Sequence, residues 1–196
     1  MTPQDLVPLA VTTITRPQDA AKQVLALNLP RNVLWLALFL AVVLNCFLFM
    51  LSNLLVPAPA DMPVQVTSPT IYGAIVGGGL VLTITSLTFV GRAMGGQGSF
   101  NDVMALMVWM QLLRVALQAV ALVLMLTVPI LSMLLVLAAA LVGLYIMVHF
   151  INEAHRLNSL GRAVFVLLGA VFAIALAMMV LLSLMGGAIG GGMPHV

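Results

Sequence analysis

The chain has 196 residues, of which 63% are hydrophobic, with only seven Lys or Arg and five Asp or Glu. A soluble domain carries roughly 25% charged residues, so the 6% present here cannot make an ordinary water-facing surface. The formal net charge of +2 and the scatter of the basic residues argue against nucleic acid as a partner, and the single cysteine, Cys46, rules out a disulfide framework.

The first 32 residues differ from the rest. Leu6, Val7, Leu9, Ala10, Val11 and Ile14 are interleaved with polar residues. Pro17 suits the first turn of a second short helix behind Thr15 or Arg16, with Ala20, Ala21, Val24, Leu25 and Leu27 along its apolar face. Residues 1–32 therefore read as an amphipathic segment lying in the membrane interface. The plainer alternative is a loosely ordered tail. No pattern of charged start, compact apolar run and small-residue cleavage site marks a secretory leader, so the first span is expected to serve as an uncleaved signal anchor.

Crossing the hydrocarbon takes about 20 apolar residues in a helix. Five such stretches follow, over 33–56, 69–91, 103–127, 130–151 and 163–185. Pro57, Pro59 and Pro63 stop the first, because proline lacks the N–H a helix needs. Ser68 and Pro69 open the second, and Gly95, Gly96 and Gly98 break the chain before the third. No charge interrupts 115–152, which is too long for one crossing, so Thr127-Val128-Pro129 is read as a turn between the third and fourth spans. Arg16, Lys22, Arg31, Arg92, Arg156 and Arg162 then all fall on one side, against only Asp61 in the loop on the other. By the positive-inside rule, the N-terminus is cytoplasmic and the C-terminus outside. The expected fold is all-α: a five-span transmembrane bundle over 33–185, an interfacial segment before it and a glycine-rich flexible tail over 186–196.

The order of features resembles the bacterial branch of the Yip1 family. Arg16-Pro17 lies in the N-terminal segment, Gly95-Gly96-Gln97-Gly98-Ser99-Phe100 precedes the third span, and Arg162 follows Ser159-Leu160-Gly161 at the start of the fifth. The likeness covers roughly residues 6 to 185. It implies an integral protein of the bacterial cytoplasmic membrane. Eukaryotic Yip1 proteins are associated with small GTPases of vesicle trafficking. Their Asp-Leu-Tyr-Gly-Pro motif and long N-terminal region are absent here, so that role does not transfer, and the bacterial members bring no activity to carry over.

The sharpest candidate site is Arg114 in the third span, with Gln111 three residues before it and Gln118 four after it on one helix face. An intramembrane arginine costs about 2.5 to 3.5 kcal/mol on insertion scales, so it needs a partner or water. It serves an ion or lipid-headgroup pathway, or a docking point for another subunit. Otherwise it is held structurally by the glutamines, backbone carbonyls and polar residues such as Asn45, Ser52, Thr83, Thr85, Ser86 and Thr88. At the end of the fourth span, His149 and Glu153 are i,i+4 neighbours, but the set lacks the H-E-x-x-H spacing, and His155 points elsewhere. A solvated helix end is the simpler reading there. Asp102 and Arg92 bracket the glycine loop, which follows no strand and lacks a P-loop lysine. Gly73 and Gly77 form a small-xxx-small pattern for close helix packing, within the protomer or between copies. Cys46 reads as a small buried or lipid-facing residue, and the 14 methionines as packing rather than copper ligands.

No catalytic set, metal site or cofactor motif emerges. The expected function is a non-enzymatic membrane scaffold or interaction protein. Its partners are the lipid bilayer and other membrane subunits or a second copy. The alternative is a small transporter or channel subunit using the Gln111/Arg114/Gln118 stripe.

Overall fold

The computed structural model describes residues 3–56 and 68–190. Pro57, Pro59, Asp61 and Pro63 lie outside the described residues, as do residues 191–196 of the expected tail. The described residues form seven helices: α1 (Pro3–Thr15), α2 (Pro17–Ala26), α3 (Arg31–Leu55), α4 (Pro69–Ala93), α5 (Phe100–Thr127), α6 (Pro129–His155) and α7 (Leu160–Gly190). Five of them, α3 to α7, are long and apolar enough to cross a membrane. The protein is an integral membrane helical bundle. The last helix runs on through Gly190, into the segment read as a glycine-rich tail.

The helix ends follow local rules. Pro17, Pro69 and Pro129 each stand in the first turn of a helix, where a missing N–H leaves no bond unmade. Ser99 and Asp102 form a reciprocal capping box at the start of α5: the Asp102 N–H donates to the Ser99 hydroxyl and the Ser99 N–H to the Asp102 carboxylate, both at 3.0 Å. The reading of Thr127-Val128-Pro129 as a turn holds in its tightest form, since Val128 alone separates α5 from α6. Ser132 locks that corner by donating its hydroxyl to the Ala121 carbonyl at 2.8 Å.

Burial is uneven along the bundle. Leu34 and Leu38 of α3, Ile84 and Leu87 of α4, Met104 and Leu106 of α5, Phe150 and Ile151 of α6, and Ala163 and Val166 of α7 form one core. All lie toward the end where α4 runs into α5 and α6 into α7. The other halves of α6 and α7 present Ile130, Met133, Leu137, Phe172 and Met179 outward. A helix apolar on all sides belongs in lipid, and these faces meet the acyl chains.

The two N-terminal helices pack on the core end. Ala20, Ala21 and Val24 of α2 are buried, and α2 packs against α5 and α6. Thr13 of α1, fully buried, accepts a hydrogen bond from the Trp109 indole N–H at 3.0 Å. The outer face of α1 leaves Leu6, Val7, Val11 and Ile14 exposed.

Candidate functional site

The intramembrane polar residues do not share one environment. Gln111 is buried, Gln118 half-buried and Arg114 exposed. The three positions span a wide enough arc of α5 for the helix to turn from the bundle interior to its surface between them. Arg114 stands 14 residues into α5, about 21 Å along a helix about 42 Å long. Its side chain makes no hydrogen bond or ion pair among the described residues. Most of the hydroxyls expected to receive it are engaged on their own helix: Thr83, Thr85 and Thr88 donate to the carbonyls of Gly79, Val81 and Ile84.

Gln118 instead enters a second group of residues. Asn45 and Ser52 of α3, Tyr72 of α4, Gln118 and Met125 of α5 and Ser132 of α6 line a cavity of about 300 Å³ in the half of the bundle away from the core. Tyr72 stacks on Phe49, with ring centroids 4.1 Å apart and planes 7° from parallel. That contact aims its hydroxyl at the side-chain oxygen Oδ1 of Asn45, to which it donates at 3.3 Å. The amide nitrogen of Asn45 and the amide oxygen of Gln118 are buried without a hydrogen-bond partner among the described residues. Asn45 and Ser52 were legible in the sequence as polar span residues. Tyr72 and Ser132 were not, because each lies within the first turn of a helix and reads there as an interfacial or capping residue.

The glycine loop is a packed joint. Gly95 adopts φ +85°, open to glycine alone at little cost. The Gly96 N–H returns to the Gly91 carbonyl at 2.8 Å, and the Arg92 Nε–H donates to the Gly98 carbonyl at 2.9 Å. Arg92 and Asp102 thus bracket the loop as expected, each through the backbone. Phe100 meets Trp35 at 6.3 Å between ring centroids, with the Arg31 guanidinium 5.9 Å from its ring. The residue the sequence reading set aside is the centre of this joint. His155 is fully buried, not part of a solvated helix end. Its ring fills the space that side chains at Gly91, Gly96 and Gly98 would need, and its carbonyl accepts the Gln97 N–H at 2.9 Å. Three glycines spaced around a loop were the signal: they leave room for a ring supplied from elsewhere. His149, six residues earlier, contacts Tyr145 instead.

Gly73 and Gly77 pack α4 on α3 within the protomer. A Cβ at Gly73 would lie 2.9 Å from the Cys46 sulfur, and one at Gly77 3.6 Å from Val42. The outer rim of this contact is an apolar groove lined by Trp35, Phe39, Val43, Gly73 and Gly77. Among the described residues no group of three His, Cys, Asp or Glu stands close enough to hold a metal ion.

No curated protein and no solved structure matches the chain. The family model of the Yip1 domain does, over residues 11–183. That match spans α2 to α6 entire, the last turn of α1 and most of α7, so the chain, with its five helices long and apolar enough to cross a membrane, belongs to the Yip1 family.

Proposed function

We propose that this Yip1-family chain is a non-enzymatic interaction protein of the bacterial cytoplasmic membrane, and that Arg114 is its docking point for another membrane helix. The observation that carries this reading is the exposure of Arg114 halfway along a spanning helix. A guanidinium there costs about 2.5 to 3.5 kcal/mol or more without a counterpart. A partner helix presenting a carboxylate or amide at the same depth removes that cost. The separation of buried Gln111 from exposed Arg114 favours docking over a continuous polar pathway for transport.

The orientation places the glycine joint, α1 and α2 in the cytoplasm, because six of the seven Lys and Arg gather at that end. The exposed apolar face of α1, flanked by Arg16 and Lys22, lies in the cytoplasmic interface. A periplasm-active reporter fused after Met185 is expected to be active and one at Gly96 silent; activity at Gly96 overturns the orientation.

Docking is tested with Arg114→Leu, Arg114→Gln and Arg114→Lys, purified from membranes in mild detergent. Since the side chain is exposed, all three are expected to keep the wild-type melting temperature. The partner should be lost in Arg114→Leu, weakened in Arg114→Gln and retained in Arg114→Lys, which keeps the charge but not the planar fork. The same partners recovered with all three variants would refute the docking role.

A further inference from the structure

We infer that the cavity between α3, α4, α5 and α6 is a binding site for a membrane amphiphile whose head is uncharged and carries a free hydroxyl. Its volume of about 300 Å³ falls at the lower edge of the roughly 300 to 1,000 Å³ of small-molecule sites. It therefore suits a compact head rather than a sugar or a phosphodiester. Its walls are mixed: Leu48, Phe49, Leu122 and Met125 supply apolar surface for the first methylenes of a chain, and Asn45, Tyr72 and Gln118 supply polar atoms. Met125, exposed at the rim, brings the cavity to the outer surface of the bundle.

The chemistry of the head follows from what is left unpaired. Asn45 is 3% exposed, and its amide nitrogen is a donor without an acceptor. The Gln118 amide oxygen is an acceptor without a donor. Each such atom carries an uncompensated desolvation penalty if nothing meets it. A hydroxyl both accepts and donates, so a head built of hydroxyls matches both kinds of atom. Among the described residues no ionised side chain lines the cavity. A charged head would lose its hydration there with no counter-charge to replace it. Arg114 lies outside the lining, so this site is independent of the docking role proposed for that residue.

Water also accepts and donates, and a polar cavity of this size has room for it. Binding measurements on the full chain in a detergent without hydroxyls, such as lauryldimethylamine oxide, separate the two. The probe is monoolein, compared with its di-O-methyl ether, which has the same chain and no hydroxyl. Monoolein is expected to raise the melting temperature and to bind at least about tenfold tighter than the ether. Gln118→Met keeps the volume and removes the orphan oxygen; it should hold or raise the ligand-free melting temperature and lose about tenfold in monoolein affinity. Arg114→Gln should retain the monoolein response. Equal binding of monoolein and its ether, which needs no variant to read, would overturn the proposal in favour of a cavity holding water alone. Tighter binding of oleoyl phosphatidic acid than of monoolein would overturn the uncharged head.

Discussion

Where α4 turns into α5, glycine backbone closes around a histidine ring; at the opposite end the same helices stand apart around a cavity. The glycine joint is filled on the side that faces His155. A side chain at Gly91, Gly96 or Gly98 would collide with His155 or with backbone carbonyls. Both ends contain buried polar atoms without partners, and the difference lies in what faces them. The ring nitrogen Nε2 of His155 makes no hydrogen bond of good geometry among the described residues but is pressed against Gly91 and faces the Leu87 backbone, while Nδ1 lies 3.2 Å from the Ile151 carbonyl. The orphan atoms of Asn45 and Gln118 belong to residues that line open space. The first end holds the helices together; the second leaves room for something else. A membrane bundle can afford this division because lipid, rather than a closed core, covers its flanks.

The largest effect should come from breaking the joint. Gly91→Ala drives a methyl into the His155 ring and is expected to destabilise by about 3 kcal/mol, the upper range for overpacking. Thermal unfolding in detergent reads this directly. The double variant Gly91→Ala/His155→Ala should lose less than the sum of the two singles; strict additivity would show that the two residues do not meet.

A smaller loss is expected from Thr13→Val, about 2 kcal/mol, because the Trp109 indole N–H then lies without its acceptor. Limited proteolysis should release residues before α3 faster than in the wild type. An unaltered cleavage rate would show that α1 is not held by this bond.

Toward the open end the effects should shrink and then change sign. Gly73→Ala meets the Cys46 sulfur and is expected to lower stability by about 1 kcal/mol, with Cys46→Ala restoring it. Gly78 faces open space, so Gly78→Ala should be neutral or gain up to about 1 kcal/mol from helix propensity. If Gly78→Ala proved as harmful as Gly73→Ala, that face of α4 would be covered by another chain.

Much of the architecture was legible because the bilayer makes simple demands. Five long apolar runs, three prolines at helix starts and six basic residues at one end leave few arrangements open. The turn at Thr127-Val128-Pro129 followed from Pro129 and from the length of the apolar run, though its reduction to Val128 alone did not. The polar site was half legible. Asn45, Gln118 and Arg114 stand out as polar residues inside spans, but shared helix spacing made Gln111, Arg114 and Gln118 look like one stripe. Spacing gives an angle around one helix and says nothing of where its neighbours stand.

Composition, periodicity and charge thus determined by themselves that this chain is a five-span membrane protein, and the order of its glycines and arginines pointed to the Yip1 family. Only the tertiary structure decided that His155 sits under the glycine loop, 57 residues after Gly98. Only it decided that Tyr72 turns toward Asn45, that Gln118 faces a cavity and that Arg114 faces out. The reason is physical. Insertion into a bilayer depends on each segment's own apolar length, which is local in sequence. Close packing and hydrogen bonding depend on which faces of distant helices meet, and in lipid the hydrophobic effect does not make that choice.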